Sequence, residues 1–595
     1  MAQKYAVHQQ SIEILLSWIQ AGEIAIPEIQ RPFVWDAVKV RDLMDSLYQG
    51  YPIGYLIAWK NPDVKLKDGS VSSGKKILID GQQRVTALTA AILGQPVVNK
   101  DYKKVKIKIA FNPISRSFEV CNTAIEKDVQ WIPDISEVMK APSMMRMIKN
   151  YCAKNTEADE EEIEKSLVNL KEIKQKQIGI IELNHDLDIE TVTEIFIRIN
   201  SQGVPLSQAD FAMSKIAANE TYNGNVLRKA IDYFCHLAVE PQFYDILKEG
   251  DEDFTRTEYF SKMSWLKNEN DDLYDPSYTD LLRVSFTSEF ERGKLADLVS
   301  LLSGRNFETR TYEEDIARES FERLSKSTLR FMNENNFKSF IMIIKSAGFV
   351  SSDLIGSQNA LNFAYALYLK MKGKYRPEEI NNAVKKWFVM SILTSRYSGS
   401  AETMFDYDIK NISTKGVFEY LKDIENANLS DAFWQFELVQ RLETSVKSSP
   451  IFNVFLAALI KGNYRGFLSK DISVKDLILH KGDVHHVFPR DYLKKNGLNR
   501  GRYNQVANYV IMQSEINIQI GNKPPKDYMD EMRKQCESKV TKYGNIIDED
   551  DLINNLRENC IPEELFDMGI EEYDKFLDIR RRLIAERIEK YYKSL

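Results

Sequence analysis

The stretch Val484-His485-His486-Val487-Phe488-Pro489 constrains local folding more tightly than any other part of this chain. Two adjacent histidines stand among apolar residues, and a proline closes the run. Strand geometry sends neighbouring side chains to opposite faces, so the two imidazoles can serve two surroundings once strand twist brings both to a cleft edge. A second apolar run, Val506 to Met512, carries Asn508, and Asn517 follows nine residues later. Ser514 stands where a helix N-cap is favoured, which puts Asn517 in the first helical turn. The expected unit is a strand, a loop rich in Arg and Lys, a second strand and a short helix. The other four histidines, His8, His185, His236 and His480, have no comparable setting.

A chain of 595 residues exceeds what one hydrophobic core serves, so two to four domains are expected. The net charge of -7 excludes bulk coating of nucleic acid by charge. Any such contact needs a local basic patch. Between residues 490 and 526 seven basic residues (Arg490, Lys494, Lys495, Arg500, Arg502, Lys523, Lys526) face two acids, Asp491 and Glu515, a local balance of +5. Such a patch binds backbone phosphate without reading sequence. Cys121, Cys152, Cys235, Cys536 and Cys560 are scattered, odd in number and without metal or redox spacing, which fits a reducing compartment. The first residues lack the apolar core of a leader peptide, and no apolar run approaches the roughly 20 residues of a membrane span. A cytoplasmic chain without membrane contact is expected.

Along the chain, Ser11 heads an amphipathic helix to Ala21, with Ile12, Leu15, Leu16 and Ile19 on one face. Ile26 to Trp35 is a proline-bracketed extended segment, and Asp36 caps a second helix to about Gln49. Tyr55–Trp59 and Lys76–Ile79 read as strands, Val85–Leu93 as a helix, and Lys104–Phe111 as one half-exposed strand. Residues 156–177 read as a solvated, charged helix joining two subparts. A strand follows at Ile178–Leu183. A helix then leads into Arg198-Ile199-Asn200-Ser201-Gln202-Gly203, with Gly203 in the turn, and Ser207 caps the next helix. Residues 210–470 are mostly helical in pattern, without a repeat or a catalytic constellation. The tail from about 545 is helical and heavily charged.

Phosphodiester hydrolysis needs a base to activate water and a cation to stabilise the developing charge and the leaving 3′ oxygen. Histidine supplies the first near neutral pH. In order and spacing the C-terminal segment resembles the HNH, or ββα-metal, endonuclease fold; the alternative is an ordinary strand pair with turn-forming asparagines. The resemblance implies His485 as a metal ligand, His486 as general base, Asn508 as a brace of the loop holding the base, and Asn517 as second metal ligand. Many members have His where Asn517 stands. A carboxamide oxygen is a harder donor, so Mg²⁺ or Mn²⁺ is expected over Zn²⁺. No cysteine knuckle is present, as in the subgroup lacking structural zinc. Lys523, in Asn522-Lys523-Pro524-Pro525, could touch the scissile or a neighbouring phosphate.

Asp80-Gly81-Gln82-Gln83-Arg84 falls between a strand and a helix. Gly81 permits a tight turn. The N–H groups of Gln82 to Arg84 at a helix N-terminus suit a phosphate, and Arg84 can add a bidentate contact. Gln82 and Gln83 could orient water or read a base; Asp80 could hold a metal or fix Arg84. The alternative is a structural turn with Arg84 in an ion pair. Three companions accompany the box: Gln30-Arg31-Pro32 before Trp35, Tyr51-Pro52-Ile53-Gly54 before a strand, and Arg198 to Gly203 with Leu206 and Ser207. Together they resemble the N-terminal domain of the GmrSD and SspE families. That resemblance implies a ParB/sulfiredoxin-like domain associated with nucleoside triphosphate use and sensing of modified DNA. In it Gln30, Arg31 and Asn200 line the same cleft as Asp80 to Arg84. Read from the residues themselves, Trp35 and Tyr51 pack in a core, and Arg198 makes a salt bridge or a phosphate contact.

The combined expectation is an α+β, multidomain chain. Residues 1–215 form the ParB/sulfiredoxin-like nucleotide-binding and DNA-sensing domain, 216–449 a helical connecting region, and 450–595 an HNH-like nuclease domain with a helical tail. The resemblances imply a modification-dependent (type IV) restriction endonuclease of phage defence, using Mg²⁺ or Mn²⁺ and GTP or ATP. Two other functions fit the same residues: a non-catalytic nucleotide- or DNA-binding regulator with a decayed nuclease domain, and a nuclease for unmodified DNA or RNA. One HNH centre cuts one strand per event, so double-strand scission needs two copies, as in a homodimer, or two encounters.

Overall fold

The computed structural model describes residues 5–25, 35–60, 76–98, 104–184, 187, 195, 207–217, 219, 221–269, 271–311, 313–480, 482 and 484–595. They are mixed α and β, mostly helical, with small sheets. The chain divides into two compact units, one of residues 1–269, 276–279 and 298–322, the other of residues 270–275, 280–297 and 323–595. Among the described residues no helix is long and apolar enough to cross a membrane.

The first unit is built on β1 (Tyr5–Ser11), α1 (Ile12–Gln20), β2 (Ile24–Ala25), α2 (Ala37–Tyr48), β3 (Tyr55–Lys60), β4 (Lys76–Asp80), α3 (Gln82–Leu93), α4 (Glu160–Lys171) and β5 (Gln177–Leu183). The five strands form one mixed sheet in the order β1-β5-β3-β4-β2. β3 runs parallel to β5 and antiparallel to β4, and β2 runs parallel to β4. Three helix starts expected from sequence are capped here, Ser207 Oγ accepting the Asp210 N–H at 3.2 Å. Ser11 Oγ accepts the Ile14 N–H at 3.3 Å, and Asp36 Oδ1 accepts the Lys39 N–H at 2.8 Å. Val40, Leu43, Met44 and Leu47 make one buried stripe of α2. They share a core with Leu15 and Leu16 of α1, Leu56 of β3, Leu78 of β4, Val85, Leu88 and Ile92 of α3, and Ile178 and Ile180 of β5.

Three sequence expectations need correction in this unit. Tyr51, expected in a core, is 63% exposed. Lys104–Phe111 is two short strands in two hairpins: Lys104–Val105 pairs with Val97–Val98, and Ile109–Asn112 with Ser117–Val120. The charged helix expected at 156–177 is shorter, α4, and is anchored in the core. Asp159 caps it, and Ile163, Leu167 and Leu170 are buried against the first unit's interior.

The second unit opens with packed helices, among them Gln358–Met371 and Pro377–Leu393. A buried carboxylate, Asp408, accepts from Arg396 Nε at 2.8 Å, Tyr397 OH at 2.7 Å and Tyr420 OH at 2.8 Å. Both carboxylate oxygens thus meet donors, which is what makes a buried carboxylate tolerable. Toward the C-terminus follow β6 (Val484–His486), β7 (Tyr509–Ile511), α5 (Ser514–Ile520), α6 (Pro525–Ser538) and α7 (Tyr573–Lys593). Val487, Phe488, Val510, Ile516, Tyr528, Met532 and Phe576 form their common core. The second strand is shorter than Val506–Met512: Val506–Asn508 is a 3₁₀ turn, and Asn508 stands just before β7. The basic stretch after Pro489 folds into two short helices, Arg490–Lys495 and Arg500–Tyr503. Gln513, not Ser514, occupies the N-cap of α5.

Candidate active site

β6 and β7 pair antiparallel, with His485 opposite Val510 and His486 opposite Tyr509. Proline after Phe488 stops the first strand, and the chain must then be held in place without ladder bonds. Asn508 does this. It is fully buried. Its Oδ1 accepts the Phe488 N–H at 2.8 Å, and its Nδ2 donates to Phe488 O at 3.1 Å and Tyr503 O at 3.2 Å. Its backbone oxygen accepts the Val487 N–H at 2.8 Å. One side chain therefore ties the exit of β6 to the end of the Arg500–Tyr503 helix.

Both histidines are half-buried. His486 Nε2 lies 3.0 Å from Asn504 Oδ1, and its ring stands edge-on to Tyr509, centroids 5.2 Å apart. Burial holds the His486 pKa below its ordinary 6.5; the Asn504 bond works against this, while Arg490 and His485 work with it. The shift favours the neutral imidazole, the state in which a ring nitrogen can accept a proton.

Two residues that sequence patterning did not single out support this element. Tyr528 of α6 donates to Val487 O at 2.9 Å. Arg580 of α7 donates to Ala507 O at 2.8 Å and Asn559 O at 3.4 Å. Burial lowers its guanidinium to about 10, so it is still charged at neutral pH. Arg580→Leu is expected to cost about 3 kcal/mol by stranding two buried carbonyls. A fall in the thermal midpoint of the second unit checks this; an unchanged midpoint would mean that water takes over both acceptors.

Asn517 is half-buried on α5, its N–H bonded to Gln513 O at 3.2 Å. Among the described residues no group of three or more His, Cys, Asp or Glu side chains could hold a metal. A closed zinc cage is thus not available from them. His485 and Asn517 offer one imidazole nitrogen and one carboxamide oxygen. Such a set suits a hard divalent cation that keeps most of its water shell. Lys523 is engaged locally: its Nζ is 2.7 Å from Glu531 Oε2 and 2.6 Å from Tyr543 OH. Burial acts upward on Glu531, but hydrogen bonds from Lys523, Tyr543 and Lys542 outweigh it and hold the carboxyl at about 2. Of the other basic residues, Arg502 pairs with Asp574 and Arg490 with Asp491, whereas Lys494, Lys495, Arg500 and Lys526 are exposed.

In the first unit, Asp80 ends β4 and Gly81, at φ +95°, turns the chain into α3. Arg84 is clamped. Its two terminal nitrogens donate to Ile53 O at 3.0 Å and Asp80 Oδ2 at 2.9 Å. A Cβ at Gly54 would lie 2.7 Å from one of them, and a Cβ at Gly81 would lie 2.2 Å from Leu56 Cδ2. Both glycines therefore make room for this packing. Gln82 and Gln83 point inward, each 7% exposed. Gln83 Oε1 accepts the Trp35 N–H at 3.3 Å, while Gln82 Oε1 is buried without a hydrogen-bond partner among the described residues. Gln30, Arg31 and Asn200, with Arg198, lie outside the described residues. Gly81→Ala is expected to destabilise the first unit by about 2 kcal/mol, from left-handed strain plus the Leu56 clash. Denaturant unfolding measures this, and an unchanged midpoint would refute the packing argument.

Over 95% of this chain and 96% of its relative, the sequence is 23% identical to an uncharacterised protein of Methanocaldococcus jannaschii. Residues 12–217 match the family described as GmrSD restriction endonuclease, N-terminal domain. This span runs from α1 through β5 and into the helix Gln208–Ala217, and it makes this part of the chain a GmrSD-like restriction endonuclease N-terminal domain.

Proposed function

We propose that this chain is a divalent-metal-dependent DNA endonuclease that cleaves or nicks modified foreign DNA, and that its N-terminal domain binds and hydrolyses a nucleoside triphosphate, GTP or ATP. In this reading residues 484–520 are an HNH-like ββα-metal element and the N-terminal domain is ParB/sulfiredoxin-like. The single observation that carries it is the fastening of His486, an imidazole held on Asn504 beside a strand exit that Asn508 pins from three sides. A base must be fixed before it can act in a transition state.

A divalent cation held by His485 and Asn517 would supply Lewis acidity to the scissile phosphate and its leaving oxygen. His486 takes a proton from the attacking water. Asn508 keeps the loop that carries His486 from drifting. Lys494, Lys495, Arg500 and Lys526 reach backbone phosphates, a contact blind to sequence. In the N-terminal domain, the first N–H groups of α3 have no partner within the helix, and such groups suit a triphosphate. Gln82 Oε1, buried and unpartnered among the described residues, is an acceptor for an N–H or O–H of the nucleotide. Arg84 adds positive charge from a fixed position.

The test is cleavage of supercoiled plasmid carrying plain, hydroxymethylated, glucosylated or phosphorothioate DNA, with Mg²⁺ or Mn²⁺, with and without GTP or ATP. Nicking that needs the metal, stops with chelator and favours one modified substrate is expected. No metal-dependent cut on any substrate would sink the nuclease reading in favour of a binding regulator. Equal cutting of plain DNA would remove the modification sensing. Arg84→Ala is expected to lower nucleotide turnover, and unchanged turnover would take the Asp80–Arg84 turn out of the nucleotide site.

A further inference from the structure

We propose that Asn504 is a positioning residue that fixes both the tautomer and the ring orientation of His486. The proposal rests on the reading of His486 as a base. Asn504 Oδ1 faces His486 Nε2 at 3.0 Å. An amide oxygen carries only lone pairs, so the nitrogen facing it must bear the hydrogen. In the neutral ring the lone pair then lies on Nδ1. A half-turn of the ring would set a C–H against the amide oxygen and forfeit the bond at a half-buried place, so the ring is held in one of its two flips. Tyr509, edge-on at 5.2 Å, packs beside it.

Asn504 is itself held. It follows the short helix Arg500–Tyr503, and the preceding carbonyl, Tyr503 O, accepts from Asn508 Nδ2 at 3.2 Å. Asn508 therefore secures two things together: the strand exit that carries His486, and the residue next to the partner of His486. When Nδ1 takes the water proton, both ring nitrogens bear hydrogen. The Nε2–H still points at the Asn504 oxygen, whose dipole then stabilises the cation. A leucine at 504 fills a similar volume with no acceptor, while an aspartate keeps one.

The experiment uses the full-length chain labelled with ¹⁵N-histidine, His486 being assigned from the resonance lost in His486→Gln. Two-bond ¹H–¹⁵N correlation reads the tautomer without any need for cleavage, so a chain that never cuts DNA leaves this test standing. The wild type is expected to show a protonated Nε2 with a slowly exchanging proton. Asn504→Leu is expected to lose that slow proton, and Asn504→Asp to keep it. In cleavage assays Asn504→Leu is expected to lower kcat about 10- to 100-fold with KM within about twofold, and Asn504→Asp to restore most of it. Hydrogen on Nδ1 in the wild type overturns the proposal. So does a slow Nε2–H that survives in Asn504→Leu, or a kcat unchanged when that signal is gone. Should Asn504→Leu fail to fold, the wild-type tautomer and the Asn504→Asp variant still decide.

Discussion

His486→Ala is expected to lower metal-dependent strand cleavage by about 10²- to 10⁴-fold, the usual contribution of a positioned base, with DNA affinity within about twofold. Affinity is spared because the exposed cations Lys494, Lys495, Arg500 and Lys526 stay in place, and backbone contacts set most of non-specific binding. Folding is spared because, among the described residues, the histidine ring makes one side-chain hydrogen bond, to Asn504, and one edge contact with Tyr509. Neither bond pins the strand exit, which belongs to Asn508. Single-turnover nicking at saturating Mn²⁺, beside a mobility-shift titration, measures the two effects separately. Wild-type cutting by the variant would make His486 a strand residue and nothing more. His485→Ala should differ in kind: its defect should shrink as metal concentration rises, because a lost ligand weakens occupancy and leaves the base untouched.

The local chemistry was readable from sequence where one residue decides one backbone event. Ser11 and Asp36 each satisfy orphan donors at a helix start, and both caps form. Gly81 turns a strand into a helix at positive φ. The histidine doublet does lie on a strand paired with the run after Asn508. The cap expected at Ser514 fell one residue earlier, on Gln513; the larger failures depended on partners distant in the chain. Lys104–Phe111 alternates like a single strand, yet its two ends found different hairpins, while Lys106 turned to Asp134 and Lys108 to Glu126. Charge hid the apolar stripe of α4, since Ile163, Leu167 and Leu170 are three residues among acids and lysines.

Arg580 was illegible for the same reason. It belongs to the run Arg580-Arg581-Arg582, which reads as a solvated face, but it is 1% exposed and serves the turn before Asn508. A weak signal existed: Phe576, Leu577, Ile584 and Ile588 mark one buried face of α7, and Arg580 falls four residues from Phe576 and from Ile584. Asn504 had no signal, because asparagine after a helix is an ordinary turn former. For the Asp80–Arg84 turn, sequence left two uses of Arg84 open. The guanidinium bonds to Asp80 and to Ile53 O, and any phosphate contact must come in addition to these.

Asn508→Leu should cost about 2–5 kcal/mol and remove cleavage together with stability. Leucine has nearly the same volume, so cavity formation is a small part of the loss. The larger part is polar: the Phe488 N–H loses its acceptor, and the carbonyls of Phe488 and Tyr503 lose a donor, at a position that water does not reach. Thermal unfolding reports the total. Because the chain has two compact units, a single midpoint understates a local loss, and hydrogen exchange at Val487 and Phe488 gives the sharper reading. Asn508→Asp separates acceptor from donor. A carboxylate still receives the Phe488 N–H but turns its second oxygen toward two carbonyls, so at neutral pH it should be at least as damaging as leucine. On acidification the carboxyl gains a hydrogen and can donate one of the missing bonds, so the gap to wild type should narrow as pH falls. The two asparagine variants and His486→Ala then form a set. Removing the base should take activity and spare the fold; removing the brace should take both. Unchanged exchange at Phe488 in Asn508→Leu would mean that the strand exit is held by the core of Val487, Phe488 and Tyr528 alone, and the asparagine would lose its place in the site.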